Sequence, residues 1–264
     1  MGVINVTPDS FSDGGLALDP QHAADLAAAM EAAGADIIDL GAESTRPGAT
    51  PVGTADELAR VRPVLEALAS RLRVPISIDT YKSDVAECAL GEGASIVNDI
   101  SGLQYDPRLG PLTAAKGAPI VLMHTRGRPQ DMYAHAAYAD VVAEVAADLA
   151  EAVARARAAG IADESILIDP GLGFAKHASQ SLAVLAGLER LAGMGFPVLV
   201  GPSRKSFMAA ATGPLDPSQR DWPTAAAVTA AVLGGAHIVR VHRVAEMVHV
   251  VRVADAIRDA AGQT

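Results

Sequence analysis

The sequence predicts a (β/α)8 TIM barrel formed as a single domain over residues 1–264. Three observations carry this. Short apolar runs recur eight times, separated by alanine-rich segments whose apolar residues stand three and four apart. The runs are nearly continuously apolar, as strands are when both faces of a parallel sheet are covered. Each run also carries or leads into polar residues at its C-terminal end, where the catalytic face of such a barrel lies. An open doubly wound sheet is the alternative that the same alternation allows.

The first strand is Val3–Val6, a β-branched run with one polar side chain, Asn5. Pro8 ends it, because proline has no N–H to give to a ladder. Gly14 and Gly15 let the following loop turn, and Asp19-Pro20 reads as an N-cap with proline at the first helical position. Asp36–Leu40 is the second strand, and Thr54-Ala-Asp-Glu57 reads as a capping box ahead of its helix. Ile76–Asp79 is the third, followed by a helix from Asp84 to Gly91 in which Cys88 is expected to be a small buried hydrophobe. Ile96–Asn98 and Ile120–Met123 are the fourth and fifth strands. The stripe Val141, Val145, Leu149, Val153 marks the helix after them, which Gly160 ends. Ile166–Asp169 is the sixth strand, with Leu182, Leu185, Leu188 and Leu191 striping the helical stretch behind it. Val198–Val200 is the seventh, and Trp222 is expected to anchor entry into its helix. Ile238–Val241 is the eighth, backed by Val244, Met247, Val248, Val251, Ala254 and Ile257.

A chain of 264 residues buries roughly 75% of its unfolded surface and needs no covalent staples. It is half hydrophobic but only 3% aromatic, so its core is aliphatic. A net charge of −10 argues against a nucleic-acid surface. One cysteine excludes an intrachain disulfide and a cysteine-based metal site. No signal peptide is visible and no apolar run reaches the ~18 residues of a membrane span. The expectation is a cytoplasmic protein without a membrane partner.

The strand ends supply the chemistry. Asp79, Asn98, Asp169 and Lys205 combine anionic acceptors, an amide and a cationic donor, which suits a flat heterocycle presenting N–H donors and carbonyl acceptors. The chain has only four lysines, so one in a strand-end loop is less expected to be incidental. Asn5, Arg240 and His242 suit phosphate oxygens, with room for a divalent cation. Ser206 stands near a helix start, where exposed N–H groups favour an anion such as a carboxylate. His124 divides evenly between ligand contact and support, and Asp99 leans towards a structural role. Together these groups suggest a transferase that handles a heterocycle, a phosphorylated group and an anionic second reactant.

Eight strings in order resemble the dihydropteroate synthase family. They are Asn5-Val-Thr-Pro-Asp-Ser-Phe-Ser-Asp-Gly-Gly15, Asp39-Leu-Gly-Ala-Glu-Ser-Thr-Arg-Pro-Gly48, Ser77-Ile-Asp-Thr80, Val97-Asn-Asp-Ile-Ser-Gly102, Met123-His124, Asp169-Pro-Gly-Leu-Gly-Phe174, Ser203-Arg-Lys-Ser-Phe207 and Arg240-Val-His242. The resemblance implies condensation of 6-hydroxymethyl-7,8-dihydropterin diphosphate with 4-aminobenzoate in folate synthesis, by loss of Mg-diphosphate and then amine attack. It implies Asp79, Asn98, Met123, Asp169, Gly173, Phe174 and Lys205 around the pterin. Asn5, Thr45, Arg46, Arg240 and His242 would hold the diphosphate, with Mg2+ at Asn5. Phe11, Thr45, Pro47, Ser203, Lys205 and Ser206 would frame the 4-aminobenzoate, and Asp9 would help to close the site. Asp79, Asp169, Lys205, Arg240 and His242 would carry the chemistry. A homodimer and sensitivity to sulfonamides also follow from it. Two features depart from the family pattern: the segment that usually precedes the first strand is expected to be absent, and Arg243 stands where an acidic or amide residue is usual. A pterin-binding methyltransferase domain and an inactive homologue serving as an assembly subunit are the competing readings. The first needs no aminobenzoate pocket, and the second should have lost site residues.

Overall fold

The computed structural model describes residues 1–7, 19–46, 48–69 and 71–261. Its parallel strands are β1 (Gly2–Asn5), β2 (Ile38–Gly41), β3 (Ile76–Asp79), β4 (Ile96–Asp99), β5 (Ile120–Met123), β6 (Ile166–Asp169), β7 (Leu199–Val200) and β8 (Ile238–Val239). Helices α1 (Pro20–Ala32), α2 (Thr54–Ala69), α3 (Ser83–Gly91), α4 (Leu109–Lys116) and α5 (Val141–Ala158) follow the first five strands in turn. Helices α6 (Ala178–Ala186) and α7 (Leu188–Ala192) follow β6, α8 (Ala209–Thr212) and α9 (Asp221–Leu233) follow β7, and α10 (Val244–Ala261) ends the chain. Strands β1 to β6 pair in sequence order and β7 pairs with β8. Single bridges, Ile168 to Val198 and Gly2 to Val241, join the pair to both edges of the larger sheet. This is the TIM barrel that the alternation predicts, with strand bounds shifted by two residues at most.

The local signals account for some of the element ends. Asp19 caps α1 by accepting from the Gln21 N–H at 2.9 Å, with Pro20 as first helical residue. Gly160, at φ 91°, turns the chain out of α5. The capping box at α2 does not form: the Glu57 carboxylate turns inward to Thr80 and Lys82 instead. Cys88 is only half-buried and its Sγ accepts from Arg62 at 3.4 Å. Trp222 anchors nothing within the chain, being 86% exposed on α9.

Strand period explains where the site must be. Met1, Val121 and Leu199 cluster with Ile37, Ile96, Leu167 and Ile238, and these form the apolar floor inside the ring. The intervening strand residues, such as Ile38, Ile78, Val97 and Ile168, pack outward against the helices in the main core. Two residues beyond the floor, on the same face, stand Asp39, Asn98, Asp169 and Arg240. Asn5, Gly41, Asp79 and Asn98 then lie in lateral register across β1 to β4, and Met123 lies opposite Asp169. The polar residues therefore share the barrel interior at its C-terminal end. Among the described residues no helix is long and apolar enough to cross a membrane.

Candidate functional site

Arg240 is the centre of this mouth. Its Nε donates to Asp39 Oδ2 at 2.6 Å and its Nη2 to Asp79 Oδ2 at 2.8 Å. Asn98 Nδ2 donates to the same Asp39 oxygen at 3.1 Å. Among the described residues the second oxygen, Asp39 Oδ1, is buried without a partner, as is the hydroxyl of Ser77, the residue opposite Asp39 on β3. Burial pushes the Asp79 carboxyl up to about 7 although Arg240 opposes it. Burial alone would lower Arg240, but Asp39 and Asp79 outweigh it and hold the guanidinium charged. Gly41 leaves room for Asp79, since a Cβ at that position would come within 3.3 Å of Asp79 Cβ and press it aside by a few tenths of an ångström.

The loop after β6 forms the next wall. Asp169 accepts from the Gly171 N–H at 2.7 Å, and burial raises its carboxyl despite nearby Lys205. Gly171 has φ 64°, and a Cβ there would fall 2.0 Å from the His124 carbonyl oxygen, so only glycine lets the loop lie this close to β5. Lys205 donates to the Leu172 carbonyl, and its Nζ sits 4.4 Å from the Phe174 ring centroid. Burial lowers its ammonium to about 8, against the pull of Asp169. Met123 is buried beside this loop, while Gly173 and Phe174 are half-buried. Behind them, Lys176 is 1% exposed and donates to Gly171 O, Phe174 O and His124 Nδ1 at 3.1, 3.0 and 2.7 Å. His124 then donates through Nε2 to Asp148 at 2.9 Å. Burial and Lys176 pull His124 down to about 4, so it is a neutral support outside the pocket.

The β7 and β8 ends meet at a second pair. Ser203 Oγ accepts from the His242 N–H at 3.2 Å and lies 2.9 Å from its Nδ1. Burial, then Arg240, lowers the imidazole to about 4. Arg204 adopts φ 58° and pairs with Asp221 through two bonds of 2.9 and 3.2 Å, which pins the loop carrying Ser203 and Lys205. Ser206 is exposed at the start of the short helical turn before α8. Arg243 turns away from the mouth to Glu246 on α10. Asp99 faces the helices and accepts from the Ser101 and Leu103 N–H groups, a structural role.

Asn5 is half-buried at the end of β1, Thr45 is half-buried and Arg46 exposed on the loop after β2. Asp9, Phe11 and Pro47 lie outside the described residues. The mouth thus brings together Asp79, Asn98, Met123, Asp169, Gly173, Phe174, Lys205, Arg240 and His242. The sequence reading omitted Asp39, Lys82, Lys176 and Arg204. Their signal was present: three of the four lysines lie in strand-end loops, and Asp39 interrupts an otherwise apolar strand.

Among the described residues no group of three His, Cys, Asp or Glu could hold a metal ion. Asn5 offers one amide oxygen, a donor set that fits Mg2+ only when phosphate oxygens and water complete the shell.

Residues 1–242 match the model of the family described as pterin binding enzyme. A dihydropteroate synthase of Synechocystis is 47% identical over 97% of this chain and 89% of its own. The Escherichia coli K12 dihydropteroate synthase is 45% identical over 97% of this chain and 90% of its own. Among solved structures, the Xanthomonas albilineans dihydropteroate synthase in complex with 7,8-dihydropteroate superposes with a TM-score of 0.88 at 39% identity, covering 98% of this chain and 92% of that one.

Proposed function

Because the chain belongs to the pterin binding enzyme family, we propose how its barrel mouth divides the dihydropteroate synthase reaction among its residues. The reaction joins 6-hydroxymethyl-7,8-dihydropterin diphosphate to 4-aminobenzoate in folate synthesis, giving 7,8-dihydropteroate and diphosphate. One observation carries the assignment: buried carboxylates, an amide and two cations converge at the C-terminal end of the barrel above an apolar floor.

Asp79, Asn98, Asp169 and Lys205 read the edge of the pterin ring, and Met123, Gly173 and Phe174 enclose its faces. Hydrogen bonds to charged groups contribute about 1.5–3 kcal/mol each, enough for a few to fix the ring's orientation. Arg240 and His242 face the diphosphate, with Asn5, Thr45 and Arg46 around it. The C–O bond of the pterin methylene breaks first and its electron pair leaves with the diphosphate. Arg240 and the His242 Nε2–H stabilise the developing negative charge, and the buried aspartates favour the cation left on the pterin. The amine of 4-aminobenzoate then attacks the methylene and releases a proton. Thr45, Pro47, Ser203, Lys205 and Ser206, with Phe11, frame that second substrate, its carboxylate towards Ser206. Asn5 would give one oxygen to a Mg2+ that enters with the diphosphate, where it supplies charge neutralisation of the leaving group.

The chain acts as one domain in the cytoplasm and pairs as a homodimer. Trp222 on α9 and Val250 and Val253 on α10 line one exposed groove, with Ile257 a further exposed apolar residue of α10, and such a face suits a subunit contact. Sulfonamides inhibit the enzyme by taking the aminobenzoate place. Diphosphate release, followed with and without 4-aminobenzoate, tests the function. Release that depends on the amine and is suppressed by a sulfonamide is expected, and amine-independent methyl-transfer chemistry would replace this reading.

A further inference from the structure

We infer that Lys82 is the positioning residue for the loop that carries Thr45 and Arg46, and so controls use of the aminobenzoate without touching it. The inference rests on the reading that this loop frames the second substrate. Lys82 lies three residues past Asp79, and its ammonium has three protons and three acceptors. These are Glu43 Oε2 at 2.6 Å, the Val52 carbonyl at 2.8 Å and Glu57 Oε2. Glu43 is where the loop leaves β2, and Val52 is where it approaches α2. Glu43 Oε1 also accepts from the Val52 N–H at 3.1 Å and from the Tyr81 hydroxyl at 3.0 Å. One ammonium thereby joins Glu43 to Val52, the two residues that bracket Thr45 and Arg46.

The clamp is sealed: side-chain exposure is 14% for Lys82, 8% for Glu43 and 0% for Glu57. In such surroundings an ion pair holds its geometry tightly, and removing one partner strands the others. The far side of the loop is tied by the Gly48 N–H to the Pro129 carbonyl at 3.0 Å. Without the clamp the loop would keep its sequence but lose the fixed span that sets where Thr45 stands. Binding of the pterin ring, walled by β3, β4, β6 and β7, does not pass through this loop, whereas binding of the diphosphate that Thr45 and Arg46 surround does. A purely structural lysine would lower stability and leave the aminobenzoate KM unchanged relative to the affinity for the pterin ring.

The test is steady-state kinetics on Lys82→Met, on Lys82→Met/Glu57→Gln, which removes a surplus buried charge, and on Glu43→Gln, which keeps Lys82 paired with Glu57. Thr45→Ala is assayed beside them, and thermal melts accompany every variant. The expected result is a rise in KM for 4-aminobenzoate of about ten- to a hundredfold. The directly measured dissociation constant for 6-hydroxymethyl-7,8-dihydropterin, which lacks the diphosphate, should stay within about twofold of wild type, a smaller change than one lost hydrogen bond gives. Where Lys82→Met does not fold, the double variant and Glu43→Gln decide. Equal changes in the aminobenzoate KM and in the affinity for the diphosphate-free pterin, or none in folded variants, overturn the inference. If Thr45→Ala raises the aminobenzoate KM while the clamp variants do not, Lys82 alone is wrong. If Thr45→Ala leaves it unchanged, the reading of the loop fails and the inference with it.

Discussion

Two cations in this barrel are each held between two carboxylates, and they are finished differently. Lys82 spends all three protons, on Glu43, Glu57 and the Val52 carbonyl. Among the described residues Arg240 uses only Nε and Nη2, on Asp39 and Asp79, and Asp39 Oδ1 and Ser77 Oγ beside it are buried without partners. Buried polar atoms are nearly always satisfied, so the open positions beside Arg240 call for a water or a ligand atom, and their place beneath the mouth of the barrel favours a ligand. A saturated clamp shapes the protein, whereas an unsaturated one receives substrate.

The sharpest way to break that comparison is Arg240→Met. Turnover should fall about a hundred- to a thousandfold, the scale set by removing one preorganised donor to developing charge. Stability should fall too, because Asp39 is 0% exposed and loses its cation. Adding Asp39→Asn should then restore the melting temperature but not turnover. If turnover returns with stability, Arg240 is a structural clamp like Lys82 and the distinction between the two fails.

A smaller effect should appear in the pH dependence, since burial shifts two ionisations of the mouth towards neutrality. Asp79 is pushed up to about 7 by burial, so its carboxylate is lost as pH falls through that value. Lys205 is pulled down to about 8 by burial, so its ammonium is lost as pH rises through that value. Profiles of kcat/KM for the pterin diphosphate report the free enzyme and should fall on both sides of this window. Lys205→Arg should move the alkaline limb upward. An unmoved alkaline limb would remove Lys205 from the pterin site.

The contrast also shows what a sequence can reveal. Strand and helix positions were legible because apolar period and caps are local, as at Asp19-Pro20 and Gly160. The mouth residues were legible because each lies at a strand end in a recognisable string. The clamps were not, because Glu57 and Lys82 are 25 positions apart and Arg240 and Asp39 are 201 apart, so only the barrel brings them together. Glu57 matched a local capping pattern, but a buried ammonium is a stronger partner for its carboxylate than the exposed first turn of a helix. Trp222 looked like an anchor because tryptophan is large and apolar, yet it faces outward on α9.

The smallest expected effect concerns Ser203, which the family pattern puts beside the aminobenzoate and the hydrogen bonds put on His242. Its oxygen accepts from the His242 backbone N–H and lies 2.9 Å from Nδ1; the tautomer in which Ser203 donates to Nδ1 puts the imidazole proton on Nε2, and that is the tautomer a leaving diphosphate requires. With the imidazole lowered to about 4 by burial, His242 is neutral at working pH and offers that one N–H to the leaving group. Ser203→Ala should admit the other tautomer and turn a lone pair towards the diphosphate. Turnover should fall about tenfold or less, within the range of one weakened hydrogen bond, and the aminobenzoate KM should barely move. Ser203→Thr, which keeps the hydroxyl, should recover most of the loss. Nitrogen chemical shifts of His242 should report the change of tautomer in Ser203→Ala directly. A rise in the aminobenzoate KM with turnover intact would instead return Ser203 to the second-substrate pocket, and His242 would then need another group to set its tautomer.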